Sequence, residues 1–298
     1  MTKDFILSCE STVDLPYDYV NGRDIPVIFY SYTVDGKAYV DDMGRDPEAL
    51  PQFYRFISEG KLPSTSQINE FQYVEFFDGL LQKGNVLHLA FGSGMTPSVN
   101  NAVAAAEQLR EKYPDRKIIV VDTTCSSSGY GMIVDYAADM CDSGQSMEQI
   151  EQWVLENRKK VHHQFFSTDL QHFRRGGRIS GAAATVAAIL GICPLMRLND
   201  EGRIIAYDKV RGKKRAIAET VKVMTEHAQG GTDYNGKCFI CNSNCLSDAE
   251  ELRSVIEEKF PNLAGKIRIF DIGTIVGSHS GPGTVAVFFL GDERAPSK

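Results

Sequence analysis

The chain has 298 residues, 43% of them hydrophobic and 24% charged, with a formal net charge of −7; this composition excludes a disordered chain, and the length favours two cores over one. The acidic balance excludes a dedicated nucleic-acid binder, whose phosphate-tracking face needs an excess of Lys and Arg. Seven cysteines without a framework spacing are expected to be free thiols of a reduced, cytoplasmic protein, and no apolar run reaches the ~20 residues of a stable membrane insertion.

In chain order, the first apolar run, Phe5-Ile6-Leu7, is cut short by Glu10 and Asp14, which is too early for a secretory signal, and leads into Ser11-Thr12-Val13-Asp14. Asp35-Gly36 between two alternating stretches predicts a hairpin. Asn69 and Gln72 predict a capping box that starts a helix over 70–81. The run at 85–91 ends in Gly92-Ser93-Gly94-Met95-Thr96, where Thr96 as N-cap and Pro97 as first helical residue announce a helix carried by Val99, Ala102, Ala106 and Leu109. The run at 117–122 ends in a Thr/Ser-rich loop at 123–128. Strand, polar loop and helix thus recur three times. That pattern predicts a mostly parallel sheet, with any ligand beyond the carboxyl ends of its strands.

The second half reads differently. A helix over 147–161 is followed by a Gly-rich segment at 174–181, then by strand-like stretches at 204–207, 237–241, 266–272 and 284–290 among helices at 215–229 and 248–259. The expectation is an α/β chain of two domains: residues 1–160 form an N-terminal α/β/α domain with a mostly parallel sheet, and residues 161–298 a C-terminal α+β lid domain with a mainly antiparallel sheet.

Several segments carry residues suited to chemistry. The glycine-bracketed loop at 92–96 offers Ser93, Thr96 and backbone N–H groups to an anion; no Lys follows, so it is not a nucleotide P-loop, and a plain helix cap is the competing reading. Pro63-Ser64-Thr65-Ser66-Gln67 is a hydroxyl-rich loop that equally suits capping. His279, in Gly277-Ser278-His279-Ser280-Gly281-Pro282-Gly283, is a donor to a carboxylate, a base, or a structural histidine in a turn. Arg174, Arg175 and Arg178 around Gly176-Gly177 suit structure or docking better than chemistry, and residues 211–215 form a second basic cluster. Cys238 and Cys241 lie three apart on a strand and His162 and His163 one apart, so neither pair converges on one metal ion. No serine sits in GxSxG and no strand ends in GxGxxG.

Together these segments resemble the DegV family of fatty-acid-binding proteins, which includes the FakB-type carriers. The likeness rests on Ser11-Thr12-Val13-Asp14-Leu15-Pro16, Thr65-Ser66-Gln67, Arg175-Gly176-Gly177-Arg178-Ile179-Ser180 and the Gly277–Gly283 loop, in the family's order. Glu10, Gly92, Pro97 and Cys193 depart from its usual residues. The resemblance implies a role in phospholipid metabolism: one long-chain fatty acid buried between the domains, with its carboxylate at Thr65, Ser93 and His279 and with Ser66, Gly94 and Thr96 close by. It further implies a partner fatty acid kinase of the dihydroxyacetone-kinase type that phosphorylates the carboxylate, docking at Arg211. No cofactor, metal or catalytic residue of the chain's own is expected, and membrane contact would be transient.

Burial of about fourteen methylenes is worth roughly 11 kcal/mol gross, before ordering costs. The carboxylate must then find donors, and hydroxyls, backbone N–H groups and one His suffice without Lys or Arg. Residues 182–190, apolar and rich in small side chains, read either as a tunnel wall or as an ordinary core helix. The alternative function is a hydrolase or phosphotransferase using His279 with Ser93 or Thr65; a regulatory module without a ligand is a third reading.

Overall fold

The computed structural model describes residues 4–179 and 191–296, so the apolar stretch at 182–190 lies outside the described residues. Strands β1 (Phe5–Glu10), β2 (Val27–Ile28), β6 (Asn85–Ala90) and β7 (Ile118–Asp122) form one sheet in the order β2-β1-β6-β7, with every pairing parallel. Strict alternation divides its side chains. Val86 and Ile118 pack with the helices α3 (Glu70–Leu81) and α4 (Ser98–Lys112), whereas Leu7, Leu87, Leu89 and Val121 pack with α5 (Ser127–Asp142) and α6 (Met147–Asn157). The predicted capping box of α3 is present; α4 begins one residue later than Thr96-Pro97 suggested, with Pro97 at the cap.

A small antiparallel sheet flanks this body, in the order β4 (Lys37–Val40), β3 (Ser31–Val34), β5 (Ser64–Ser66). Asp35 and Gly36 turn its hairpin with φ of 50° and 79°, the left-handed pair that a two-residue turn requires. The hydroxyl-rich segment expected as a loop is therefore partly an edge strand.

At Val161 the chain enters a second sheet, ordered β10 (Ile204–Arg211), β9 (Ile192–Leu198), β8 (Val161–Ser167), β13 (Thr284–Leu290), β11 (Phe239–Asn242), β12 (Arg268–Asp271). Only β11–β12 is parallel among the described pairings. One face packs on α8 (Lys213–His227) and α9 (Leu246–Lys259) through Val285, Val287, Phe289 and Ile240. The other carries Phe165, Met196, Cys241, Ala286 and Phe288 into the same cluster as α5 and the parallel sheet. Cys238 and Cys241, both buried, fall on opposite faces, as their spacing requires.

Helix α5 lies between the two sheets and is buried almost all round. Two glycines allow it. A Cβ at Gly129 would lie 2.3 Å from His163 Nε2, and one at Gly131 would lie 2.5 Å from the Val13 carbonyl. Polar ties fix the contact: buried Asp135 accepts from Arg23 at 2.9 Å and from Lys237, which also reaches Asp139 at 2.6 Å.

Candidate functional site

Between the sheets lies a cavity of about 280 Å³. It opens beyond the carboxyl ends of β6 and β7, where Phe91, Thr96, Ser126 and Ser127 reach it. Apolar side chains from the second sheet and its connections, among them Phe165, Phe173, Ile272, Ala286 and Phe288, form much of the wall. A mostly apolar cavity with a few convergent polar groups has the make-up of sites that take small molecules.

Thr65 and His279 meet on this wall, 214 positions apart, with Thr65 Oγ1 2.9 Å from His279 Nε2. His279 does not stand in a loop. It occupies the last turn of α10 (Thr274–Ser280), which Gly281 ends at φ 66°. The ring presses against Gly176, where a Cβ would lie 2.2 Å from His279 Nδ1. That contact gives the first glycine of Arg175-Gly176-Gly177-Arg178 a physical purpose. Burial, and after it Arg178 and Arg175, lowers the His279 pKa to about 4, so the ring is neutral at neutral pH. In the tautomer with its proton on Nε2, the imidazole donates to Thr65 and turns the threonine hydroxyl proton toward an acceptor in the cavity.

This neutrality predicts a pH signature. Unfolded rings protonate near 6.5 and the buried His279 near 4, so the unfolded chain binds more protons across that window and stability falls as pH drops through it. Asp41, raised by burial to about 6, acts in the opposite sense, so the test is a difference. Between pH 7 and pH 4 the parent should lose on the order of 3 kcal/mol relative to His279→Gln in urea unfolding. A pH-independent difference would mean that the ring is not held neutral.

Ser66, at the β5 edge, and Thr96 also line the cavity; Thr96 is buried, and its hydroxyl accepts from the Ser98 N–H at 3.3 Å. Ser93 and Gly94, expected among the headgroup contacts, are not among the residues that line it. Ser93 is exposed and turned onto Asp122, to which its Oγ donates at 2.6 Å and its N–H at 3.0 Å. Gly94 packs on the Gly202 backbone, where a Cβ would lie 2.4 Å from the carbonyl oxygen. Arg178, left out of the expected headgroup site, does reach the cavity. Its side chain lines the cavity beside His279, so the site holds a cation that seemed unnecessary from the sequence.

Two further residues were not read as part of the site from the sequence. Glu10, fully buried, accepts from Tyr73 at 2.7 Å, from Tyr30 at 3.1 Å and from the Phe91 N–H at 3.2 Å, and so fixes two cavity residues. His163 lines the cavity from β8; the Ser126 N–H donates to its Nε2, leaving the ring proton on Nδ1 to reach the Val161 carbonyl at 2.9 Å. Its partner Ser126 lies 37 positions earlier, so no local motif marked it.

Two arrangements bear on the hydrolase reading. Among the described residues His279 Nδ1 has no hydrogen-bond partner, so no acid orients the ring as a triad requires. Ser8, His88 and Glu10 do form a chain, at 3.0 and 3.4 Å, but all three are fully buried beneath α3. No helix among the described residues is long and apolar enough to cross a membrane.

A sequence profile of the DegV family, described as uncharacterised proteins, matches residues 7–292. A DegV domain-containing protein of Clostridium perfringens is 38% identical over 99% of this chain and 100% of its own. Among solved structures, a DegV family protein from Thermus thermophilus, described for its fatty acid binding, is 26% identical with a TM-score of 0.83, covering 97% of this chain and 99% of that one. A fatty acid binding DegV family protein from Streptococcus agalactiae is also 26% identical, with a TM-score of 0.81 and 99% coverage of both chains.

Proposed function

The chain belongs to the DegV family, and on that premise we propose that it carries one long-chain fatty acid in the cavity between its sheets without transforming it. The observation that carries this reading is the pairing of a largely apolar cavity with the Thr65–His279 hydrogen bond on its wall. The acyl chain lies against Phe165, Ala286 and Phe288. Its carboxylate accepts from Thr65, whose hydroxyl His279 orients, with Ser66, Thr96 and Arg178 nearby. The Thr65–His279 pair gives the carboxylate a hydrogen bond from a neutral group, and Arg178 supplies a positive charge beside it. The related proteins of T. thermophilus and S. agalactiae, described as fatty-acid binding, support the ligand class.

The carboxylate is presented to a separate kinase of the dihydroxyacetone-kinase type, which forms the acyl phosphate, and the protein works in the cytoplasm. Exposed Arg211, at the end of β10, is the docking contact. Leu62 and Phe71, 59% and 68% exposed, flank the Thr65 segment in the chain and support transient membrane contact during loading. Arg211→Ala should take up one fatty acid per chain, as the parent does, while acyl-phosphate formation by such a kinase falls. Absence of saturable uptake by the parent would reject the carrier reading; equal loss of uptake and phosphorylation in the variant would reject the docking role. Among the described residues no acid orients His279, which disfavours the hydrolase reading.

A further inference from the structure

His162 cannot share an ion with His163, but the fold supplies it with other partners. Its side chain, 5% exposed, is stacked between Phe289 and His227, with ring centroids 5.0 and 5.1 Å away. Asp292, just beyond β13, meets both histidines. His162 Nε2 and His227 Nδ1 each lie 3.0 Å from its Oδ1, and His227 Nδ1 lies 3.1 Å from Oδ2. One ligand atom from each of the three residues falls within a span of 4.8 Å.

The cluster is braced. The Asp292 N–H donates to the His227 carbonyl at 3.1 Å, the Gly291 N–H to the Lys160 carbonyl at 2.9 Å, and Ala228 bridges Gly291. Gly291 permits this approach: a Cβ there would lie 2.2 Å from the His227 carbonyl and 3.1 Å from His162 Nε2. His227 and Asp292 are 41% and 61% exposed at the side chain, which leaves the cluster open to solvent.

We propose that His162, His227 and Asp292 form a binding site for a divalent transition-metal ion, zinc above all, on the face of the second sheet opposite the acyl cavity. Two imidazoles and one carboxylate with open positions are a set that zinc takes, at bond lengths of about 2.0–2.2 Å. Those lengths separate neighbouring tetrahedral ligands by roughly 3.3 Å, close to the 3.0 Å contacts observed. In the absence of metal, each converging nitrogen presents its N–H to the one carboxylate; the ion takes both places with two coordinate bonds, and each neutral ring keeps its proton on its other nitrogen. His227 also ends the 15-residue helix α8, whose negative pole favours a cation. Lys160 and Glu226, which line the adjoining depression, offset one another. A bound ion would pin the tail that continues to Arg294, whose guanidinium holds the Thr124 carbonyl at 3.0 Å.

The test is titration of tag-free, chelator-stripped, full-length protein with Zn²⁺ alone. One ion per chain is expected. His227→Ala and Asp292→Asn should each lower the affinity at least about tenfold, by loss of a ligand. His162→Phe should do the same while keeping the stack on Phe289, and His172→Gln should bind as the parent does. Co²⁺ in place of Zn²⁺ should show the intense visible bands of a four- or five-coordinate site, lost in the same variants. Asp292→Asn retains the shape of its loop, so it decides the matter should an alanine variant unfold. No stoichiometric uptake by the parent, or uptake undiminished in Asp292→Asn and His227→Ala, overturns the proposal.

Discussion

Thr65→Val and His279→Ala are each expected to weaken long-chain fatty-acid binding by roughly 10- to 100-fold, the cost of one hydrogen bond to a charged group. Thr65→Val removes only the hydroxyl and keeps the shape of the side chain. His279→Ala removes the ring that orients that hydroxyl across 2.9 Å. Because the two groups bond each other, the double variant should lose less than the product of the single effects. Ser93→Ala is the internal control: its hydroxyl is already committed to Asp122, so affinity should match the parent. Titration of delipidated protein with oleate checks all four variants. Unchanged binding in both Thr65→Val and His279→Ala would place the headgroup elsewhere, and a loss in Ser93→Ala would mean that the 92–96 loop turns inward on binding.

The second large effect is steric. Ala286 sits in the middle of β13, faces the cavity and is 6% exposed. Ala286→Trp would put an indole into a cavity of about 280 Å³ and should abolish fatty-acid uptake. Filling existing space should keep the folding cost at or below the 1–3 kcal/mol typical of overpacking. Ala286→Ser, with one added atom, should still load. The readout is fatty acid released by organic extraction, with urea unfolding to establish that the Trp variant folds. Normal loading of a folded Ala286→Trp protein would show that the acyl chain does not lie between the sheets.

What could be read from the sequence was local. Asn69 with Gln72 marked the start of α3 because a capping box is complete within four residues, and Asp35-Gly36 marked its hairpin in the same way. The family resemblance assigned Thr65 and His279 to one carboxylate, and the fold sets them 2.9 Å apart. The direction of Ser93 was not legible, since it depends on Asp122, 29 positions later, at the end of a neighbouring strand. Nor was β8, whose Val161-His162-His163-Gln164 start has no apolar alternation. All of its residues are buried because the two histidines find partners on opposite faces, Phe289 on one and Ser126 on the other. Helix α10 hid behind a Gly/Ser-rich composition that usually means loop. Its Gly277 is a packing residue instead, with room for no more than a contact of 3.0 Å against Phe53.

A crystal structure of the protein grown with a long-chain fatty acid tests the account most directly. One acyl chain should run between Phe165 and Phe288, its carboxylate within hydrogen-bond reach of Thr65 Oγ1 and His279 Nε2. An empty cavity, or a ligand whose carboxylate is held away from that pair, would contradict it.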